Sequence, residues 1–154
     1  MEINELISPE DIVANLKSTS KKQALQELAK RVADASGENK RGIFDVLMER
    51  ERLGTTGVGN GIAIPHGKLK KITRLYGLFA RLENPIDFQA IDNQPVDLIF
   101  LLIAPESGGA DHLKALARVS RLLRDKAICK KLRGTETIEG LYAILTESTE
   151  TRAA

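Results

Sequence analysis

Val96-Asp97-Leu98-Ile99-Phe100-Leu101-Leu102-Ile103-Ala104 is a nearly unbroken aliphatic run, and it decides the architecture. A strand with one wet face alternates apolar and polar residues. A run that is apolar at successive positions needs cover on both faces, as a central strand has. The cover is present on either side in the chain. Upstream, Ser20 followed by Gln23 fits a capping box, and Ala24, Leu25, Leu28 and Val32 recur at helical spacing until Gly37. A second helix is predicted from about Lys40 to Arg52, with Ile43, Phe44, Leu47 and Met48 on one face and Gly54 just past its end. Downstream, Leu113, Leu116, Ala117, Ser120 and Leu123 predict a helix face, with Asp111 as N-cap after Gly108-Gly109. Ile128 and Leu132 suit a short helix, and Ile138, Leu141 and Leu145 a final one. Helices flanking strands at both ends of the chain give an α/β layer class.

Between these helices lies a second strand candidate, Ile72 to Leu82, apolar on both alternating faces as far as Arg81. Pro85, Asn93 and Pro95 punctuate the stretch that follows it. Asp11 to Lys17 reads equally as a strand or a short helix, because its periodicity does not decide. There is no internal repeat and no linker, so residues 1–154 are expected to form one domain with a frayed tail from about Ser148.

Composition removes several function classes. Twenty-three Lys and Arg against 21 Asp and Glu give a formal net charge of +2, and aromatics make up 4% of the 154 residues. That balance builds neither a large basic surface nor a set of stacking platforms, so nucleic-acid binding is not expected. The longest apolar run, Leu98 to Ala104, is far too short to span a bilayer, and Met1-Glu2-Ile3-Asn4-Glu5 is no signal sequence. A cytoplasmic domain with no direct membrane insertion is expected. Cys129 is the single cysteine, so it can form no internal disulfide; its helical context suggests a packed thiol.

The chemistry concentrates elsewhere. Gly54-Thr55-Thr56-Gly57-Val58-Gly59-Asn60-Gly61 holds four glycines in eight residues and runs into Ile62-Ala63-Ile64-Pro65-His66-Gly67. His66 therefore follows a proline at the end of a predicted strand and precedes a glycine that lets backbone or a ligand approach closely. His112 falls in the first turn of a predicted helix, where free N–H groups and the helix dipole favour an anion. Two histidines without HExxH or CxxC spacing make a poor metal site, and none is expected. The glycines do not fit GxGxxG, lack the GK[ST] ending of a phosphate loop, and lead from a helix into a strand; nucleotide binding is rejected. Ser107 and Ser120 lie in no GxSxG context. The basic stretches Lys17 to Lys22 and Lys68-Leu69-Lys70-Lys71 read as solvated faces, although the second adjoins His66 and could steer an acidic partner.

Thr55 to Gly67, TTGVGNGIAIPHG, resembles the phosphorylation-site signature of enzyme IIA proteins of the phosphoenolpyruvate-dependent phosphotransferase system, in the mannitol/fructose class and its nitrogen-regulatory type. The resemblance runs from Asp11 to about Leu145. It includes Met48-Glu49-Arg50-Glu51 upstream and Asp111-His112-Leu113 with Ser120-Arg121-Leu122-Leu123 downstream. Gly54-Thr55-Thr56 departs slightly from the GST more usual in nitrogen-type members. The resemblance implies a mixed β-sheet flanked by helices on both sides, with Asp11 to Lys17 a strand. It implies that His66 accepts a phosphoryl group from phospho-HPr or a nitrogen-branch counterpart, that His112 lies beside it, and that Arg50 is near. Phosphorylation at Nε2 is implied too, although no residue in the sequence distinguishes the two ring nitrogens.

The chemistry is sensible in itself. A neutral imidazole is nucleophilic near neutral pH, and phosphoryl transfer asks mainly for positioning and charge stabilisation. Arg50, His112 and backbone N–H groups around Gly61, Gly67 and Asp111 are the candidates to hold the phosphate, with no cofactor. Regulatory targets such as potassium-transport regulators and sensor kinases are the partners the resemblance implies. Two other readings compete: a fructose- or mannitol-specific transport component, and a binding module without phosphotransfer.

Overall fold

A computed structural model describes residues 1–147; the tail expected from about Ser148 lies outside the described residues. Its elements are β1 (Ile12–Leu16), α1 (Lys21–Ser36), α2 (Lys40–Leu53), β2 (Gly57–Gly59), β3 (Ile62–Ala63), β4 (His66–Leu69), β5 (Tyr76–Ile86), β6 (Val96–Pro105), α3 (Gly109–Arg124), α4 (Lys126–Arg133) and α5 (Ile138–Leu145). Two short 3-10 turns precede β1. The strands form one sheet in the order β1-β5-β6-β3-β2, with β4 also pairing to β6. β1 is parallel to β5, β3 and β4 are parallel to β6, and β5–β6 and β2–β3 are antiparallel. The sheet is therefore mixed, and Asp11 to Lys17 contains a strand.

β6 is central and buried along almost its whole length, as its aliphatic run requires. Ile99, Leu101 and Ile103 face one core, shared with Leu25, Leu28 and Val32 of α1 and Ile43 and Leu47 of α2. Leu98, Phe100 and Leu102 face the other, shared with α3, α4, α5 and the N-terminal Ile3, Leu6 and Ile7. Each such side chain, fully buried, contributes roughly 1.5–3 kcal/mol, and β6 contributes to both layers at once. The caps agree with the local sequence. Ser20 accepts from Gln23 N at 3.1 Å, Gly37 closes α1 at φ 78°, and Asn39 and Asp125 cap α2 and α4. The capping box is shifted by one residue, since the Gln23 carboxamide accepts from Thr19 N rather than from Ser20 N.

Three expectations need correction. The second strand runs Tyr76–Ile86 rather than Ile72 to Leu82, and it includes Pro85. The proline is tolerated because register shifts between Arg81 and Ile86 and β1 pairing ends at Leu82, leaving no ladder bond for Pro85 to break. The N-cap of α3 is Gly108, so Asp111 is the helix's third residue. The buried face of α3 is His112, Ala115, Val119 and Leu122, joined by Arg118 and Leu123, while Leu113 is 70% exposed. A histidine and an arginine on the core side disguised that stripe; Arg118 is buried with its guanidinium 3.5 Å from Glu2. The glycine-rich stretch, to which the sequence assigns no element, holds a hairpin. β2 and β3 form a hairpin whose two turn residues, Asn60 (φ 58°) and Gly61 (φ 81°), have the left-handed backbone an Asn-Gly hairpin turn uses.

Candidate functional site

β3 and β4 are two halves of one strand. Ile62 pairs with Leu98, Ala63 with Ile99, His66 with Leu102 and Leu69 with Pro105, so the offset never changes across the interruption at Ile64-Pro65. Proline lacks an N–H, which breaks the ladder there without slipping it, and the Pro65 carbonyl still accepts from Leu102 N at 3.0 Å. His66 thus opens β4 on the line of β3, so the strand resumes at the residue where the sequence reading ended it.

The outer side of this strand changes character along its length. Thr56 O accepts from Ile64 N at 3.0 Å, which is the last bond to the β2 side, and beyond it β4 pairs only with β6 among the described residues. Pro65 and Leu69 turn their carbonyls toward β6. By the alternation of a strand, the N–H groups of His66 and Lys68 then face the open edge. His66 is half-buried at that edge, on the side of the sheet that α3 covers.

The His66 ring is oriented by its own strand. Its Nδ1 lies 2.9 Å from Ile64 O. A carbonyl can only accept, so Nδ1 carries the proton and Nε2 keeps its lone pair. His112 meets it edge-on, with ring centroids 5.7 Å apart and planes at 79°. His112 is 4% exposed, and its Nε2 is buried without a hydrogen-bond partner. Burial, and then the positive charge His66 and Lys68 can carry, hold its pKa below the ordinary histidine value. The first turn of α3, immediately before His112, has no side-chain cap, so its backbone donors are free for an anion. Lone pair, buried imidazole, edge N–H groups and helix start together make a place where a tetrahedral anion can be held against a nucleophilic nitrogen.

Not every expected residue joins this group. His66 and His112 come together, and Asp111 precedes His112 with an exposed side chain. Gly67 points to the other face, where a Cβ would lie 2.4 Å from Val46 Cγ1; the close approach it permits is that of helix α2, not of a ligand. Arg50 stands one helical turn beyond Val46, and its Nη1 donates to Gly54 O at 2.8 Å. Its helix covers the face opposite His112, so the guanidinium can reach the histidines only around the open edge of β4. Gly61 lies five residues before His66 along an extended strand, roughly 16 Å away. A Cβ there would meet Arg133 Nη2 at 2.5 Å and Asp97 Oδ1 at 2.8 Å, so Gly61 serves the hairpin and the ion pair over it.

Glu51 is the residue the sequence reading passed over. Its side chain is 2% exposed, yet it is fully partnered, by Lys21 Nζ at 2.8 Å, Thr56 N at 3.0 Å and the Thr56 hydroxyl. The signal available was a carboxylate on the apolar side of α2, four residues from Leu47. Cys129 is buried and its Sγ–H donates to Leu123 O; burial pushes its pKa up, as befits a packed thiol. Among the described residues no group of three or more His, Cys, Asp or Glu is placed to hold a metal ion, and no helix is long and apolar enough to cross a membrane.

Comparison with known proteins agrees with this fold. Residues 5–148 match the family described as phosphoenolpyruvate-dependent sugar phosphotransferase system, EIIA 2. The chain is 59% identical over 145 residues to a nitrogen regulatory protein of Bradyrhizobium diazoefficiens, covering 94% of this chain and 95% of that one. It is 37% identical over 147 residues to a fructose-specific EIIA component of the phosphotransferase system of Haloferax volcanii, covering 95% and 92%. Among solved structures, the nitrogen regulatory protein IIA-Ntr of Neisseria meningitidis superposes with a TM-score of 0.89 at 35% identity, covering 94% of this chain and 99% of that one.

Proposed function

Because this chain belongs to the EIIA 2 family of the phosphoenolpyruvate-dependent sugar phosphotransferase system, we propose that it is a cytoplasmic phosphoryl carrier of the nitrogen-regulatory type, with His66 as acceptor. The observation that carries the reading is the pair of rings. His66 has its Nδ1 tied to Ile64 O, and the Nε2 of His112 is buried without a partner beside it. A buried polar atom left unpaired costs about 1–3 kcal/mol, and an arriving phosphoryl oxygen would relieve that cost.

In the transfer, the His66 Nε2 lone pair attacks the phosphorus of a phosphohistidine donor. The new N–P bond forms as the donor's N–P bond breaks, and that electron pair returns to the donor ring. Positive charge grows on the His66 ring, and the Nδ1–H bond to Ile64 O stabilises it. Once the phosphoryl group is in place, His112 takes up a proton and donates from Nε2 to a phosphoryl oxygen. The edge N–H groups of His66 and Lys68, and Arg50 if it leaves Gly54 O, share the remaining negative charge. In this reading Asp111 contributes only through the helix start, and neither Gly61 nor Gly67 touches the phosphate.

The donor is phospho-HPr or a nitrogen-branch counterpart. The phosphate adds up to two negative charges at an exposed edge, enough to change which regulatory protein binds there. Potassium-transport regulators and sensor kinases are the targets the resemblance implies. The reading is tested with labelled phosphoenolpyruvate, enzyme I and either donor, on wild type and His66→Ala. Acid-labile, alkali-stable label on wild type alone, faster from the nitrogen-branch donor, is expected. Labelling of His66→Ala to wild-type extent would overturn the acceptor; faster labelling from the sugar-branch donor would favour a fructose-type transport component; no label from either would leave a binding module.

A further inference from the structure

We propose that Glu51 is a positioning residue that sets the tautomer of His66 through Thr56 and Ile64; this rests on the reading of His66 as the nucleophile. The path is continuous. Lys21 Nζ holds Glu51 Oε1 at 2.8 Å, and the carboxylate accepts both the backbone N–H and the hydroxyl of Thr56. Thr56 O accepts from Ile64 N at 3.0 Å, and Ile64 O accepts from His66 Nδ1 at 2.9 Å. Between the half-buried Lys21 and His66 every link is a backbone group or the buried side chain of Glu51 or Thr56, so the path has little freedom to bend.

Both the need for such a device and its cost are visible. β4 is open on its outer side, and the Pro65 break removes a ladder bond just where the Ile64 carbonyl must point at the ring. The Thr56–Ile64 bond is the last one on that side. Free histidine in water favours the Nε2–H tautomer, which would leave the exposed nitrogen without its lone pair. Holding Ile64 O against Nδ1 selects the reactive form, as the outer partner of a metal-bound histidine fixes its tautomer. Burying a carboxylate and an ammonium to gain this is seldom a net stabilisation, since an apolar pair of similar volume usually does as well. Lys21 is held further by lying 4.7 Å over the Phe88 ring, so the clamp is rigid from its outer end.

The chemistry of the side chain gives a discriminating pair of variants. Glu51→Gln can still bridge Thr56, with its carbonyl accepting from Thr56 N and its amide donating to the hydroxyl, but it leaves Lys21 without a counter-charge. Glu51→Ala removes bridge and counter-charge together. The test records long-range proton–nitrogen correlations of the His66 ring in the full chain, above the imidazole titration range, beside the initial rate of phosphoryl uptake. Wild type and Glu51→Gln are expected to show the Nδ1–H tautomer, although Glu51→Gln melts lower. Glu51→Ala is expected to show a mixture with the Nε2–H form and to take up phosphate about tenfold more slowly. A wild-type tautomer in folded Glu51→Ala, or a change in Glu51→Gln as large as in Glu51→Ala, overturns the proposal. Should Glu51→Ala fail to fold, Thr56→Val and Thr56→Ser decide. Valine should shift the tautomer and serine should not, and equal signatures overturn it. Because the tautomer is read without any donor, a wild type that takes up no phosphate would refute the acceptor reading while leaving this one decided separately.

Discussion

The two ends of the strand from Ile62 to Leu69 are built in opposite ways. At the Ile62 end the strand is paired on both sides, to β2 and to β6. Its turn is locked by Arg133, which donates to Asp97 at 2.8 Å and to Asn60 O at 2.7 Å. At the His66 end one side is open, the ladder is interrupted by Pro65, and the neighbouring His112 keeps a buried nitrogen unpaired. The same strand thus carries a region paired on both sides and one beside which a buried ring nitrogen is left unpaired. In the proposed reading stability resides at the first and reactivity at the second, and the register that runs unbroken between them fixes where His66 stands.

Substitutions can break this contrast one end at a time. The largest effect is expected from His112→Leu, which replaces an unpaired buried ring with an apolar side chain. Phosphoryl uptake should fall roughly a hundredfold, while the melting temperature holds or rises because no polar atom is left buried. A lower melting temperature with unchanged uptake would make His112 a packing residue. Next comes Gly61→Ala at the closed end. Its positive φ and the crowding by Arg133 and Asp97 should cost about 2 kcal/mol of stability, measured by urea unfolding, with phosphoryl uptake of the folded protein unchanged. Loss of uptake there would return Gly61 to the phosphate site.

Arg133→Ala should cost about 1 kcal/mol, because the pair it makes with Asp97 is partly solvent-screened; chemical denaturation reads it, again with no change in uptake. The smallest effect concerns pH. The folded-state pKa of His112 lies below the ordinary histidine value of about 6.5, with burial the main cause. Below 6.5 the unfolded chain therefore binds the proton more readily than the folded one. Stability is complete above that value and declines as pH falls toward the folded pKa. Thermal melts of wild type should show this decline, and His112→Leu should flatten it; parallel slopes in the two proteins would contradict the assignment.

Much of the fold was legible because the core is aliphatic and patterned. The run Val96 to Ala104 suggested a covered central strand, α1 and α2 showed in spacing and end signals, and α4 and α5 in spacing alone. α3 was misread at its face because its stripe includes His112 and Arg118, residues that a hydrophobic pattern counts as outward. The hairpin had its signal in Asn60-Gly61, overshadowed by the surrounding glycines. For the candidate site, the sequence made His66 conspicuous through Pro65 and Gly67, but it did not show which face each residue serves. Gly67 makes room for Val46 on one side of the sheet while His66 meets His112 on the other. The choice of ring nitrogen was also out of reach. It depends on a carbonyl, Ile64 O, and every residue has one.

The most direct test is nitrogen NMR of the chain after incubation with phosphoenolpyruvate, enzyme I and an HPr-type donor. The arrangement at the open end of β4 predicts a single phosphoryl group on Nε2 of His66, with Nδ1 still protonated toward Ile64 O. A phosphoryl group on Nδ1 of His66, or on His112, would contradict it.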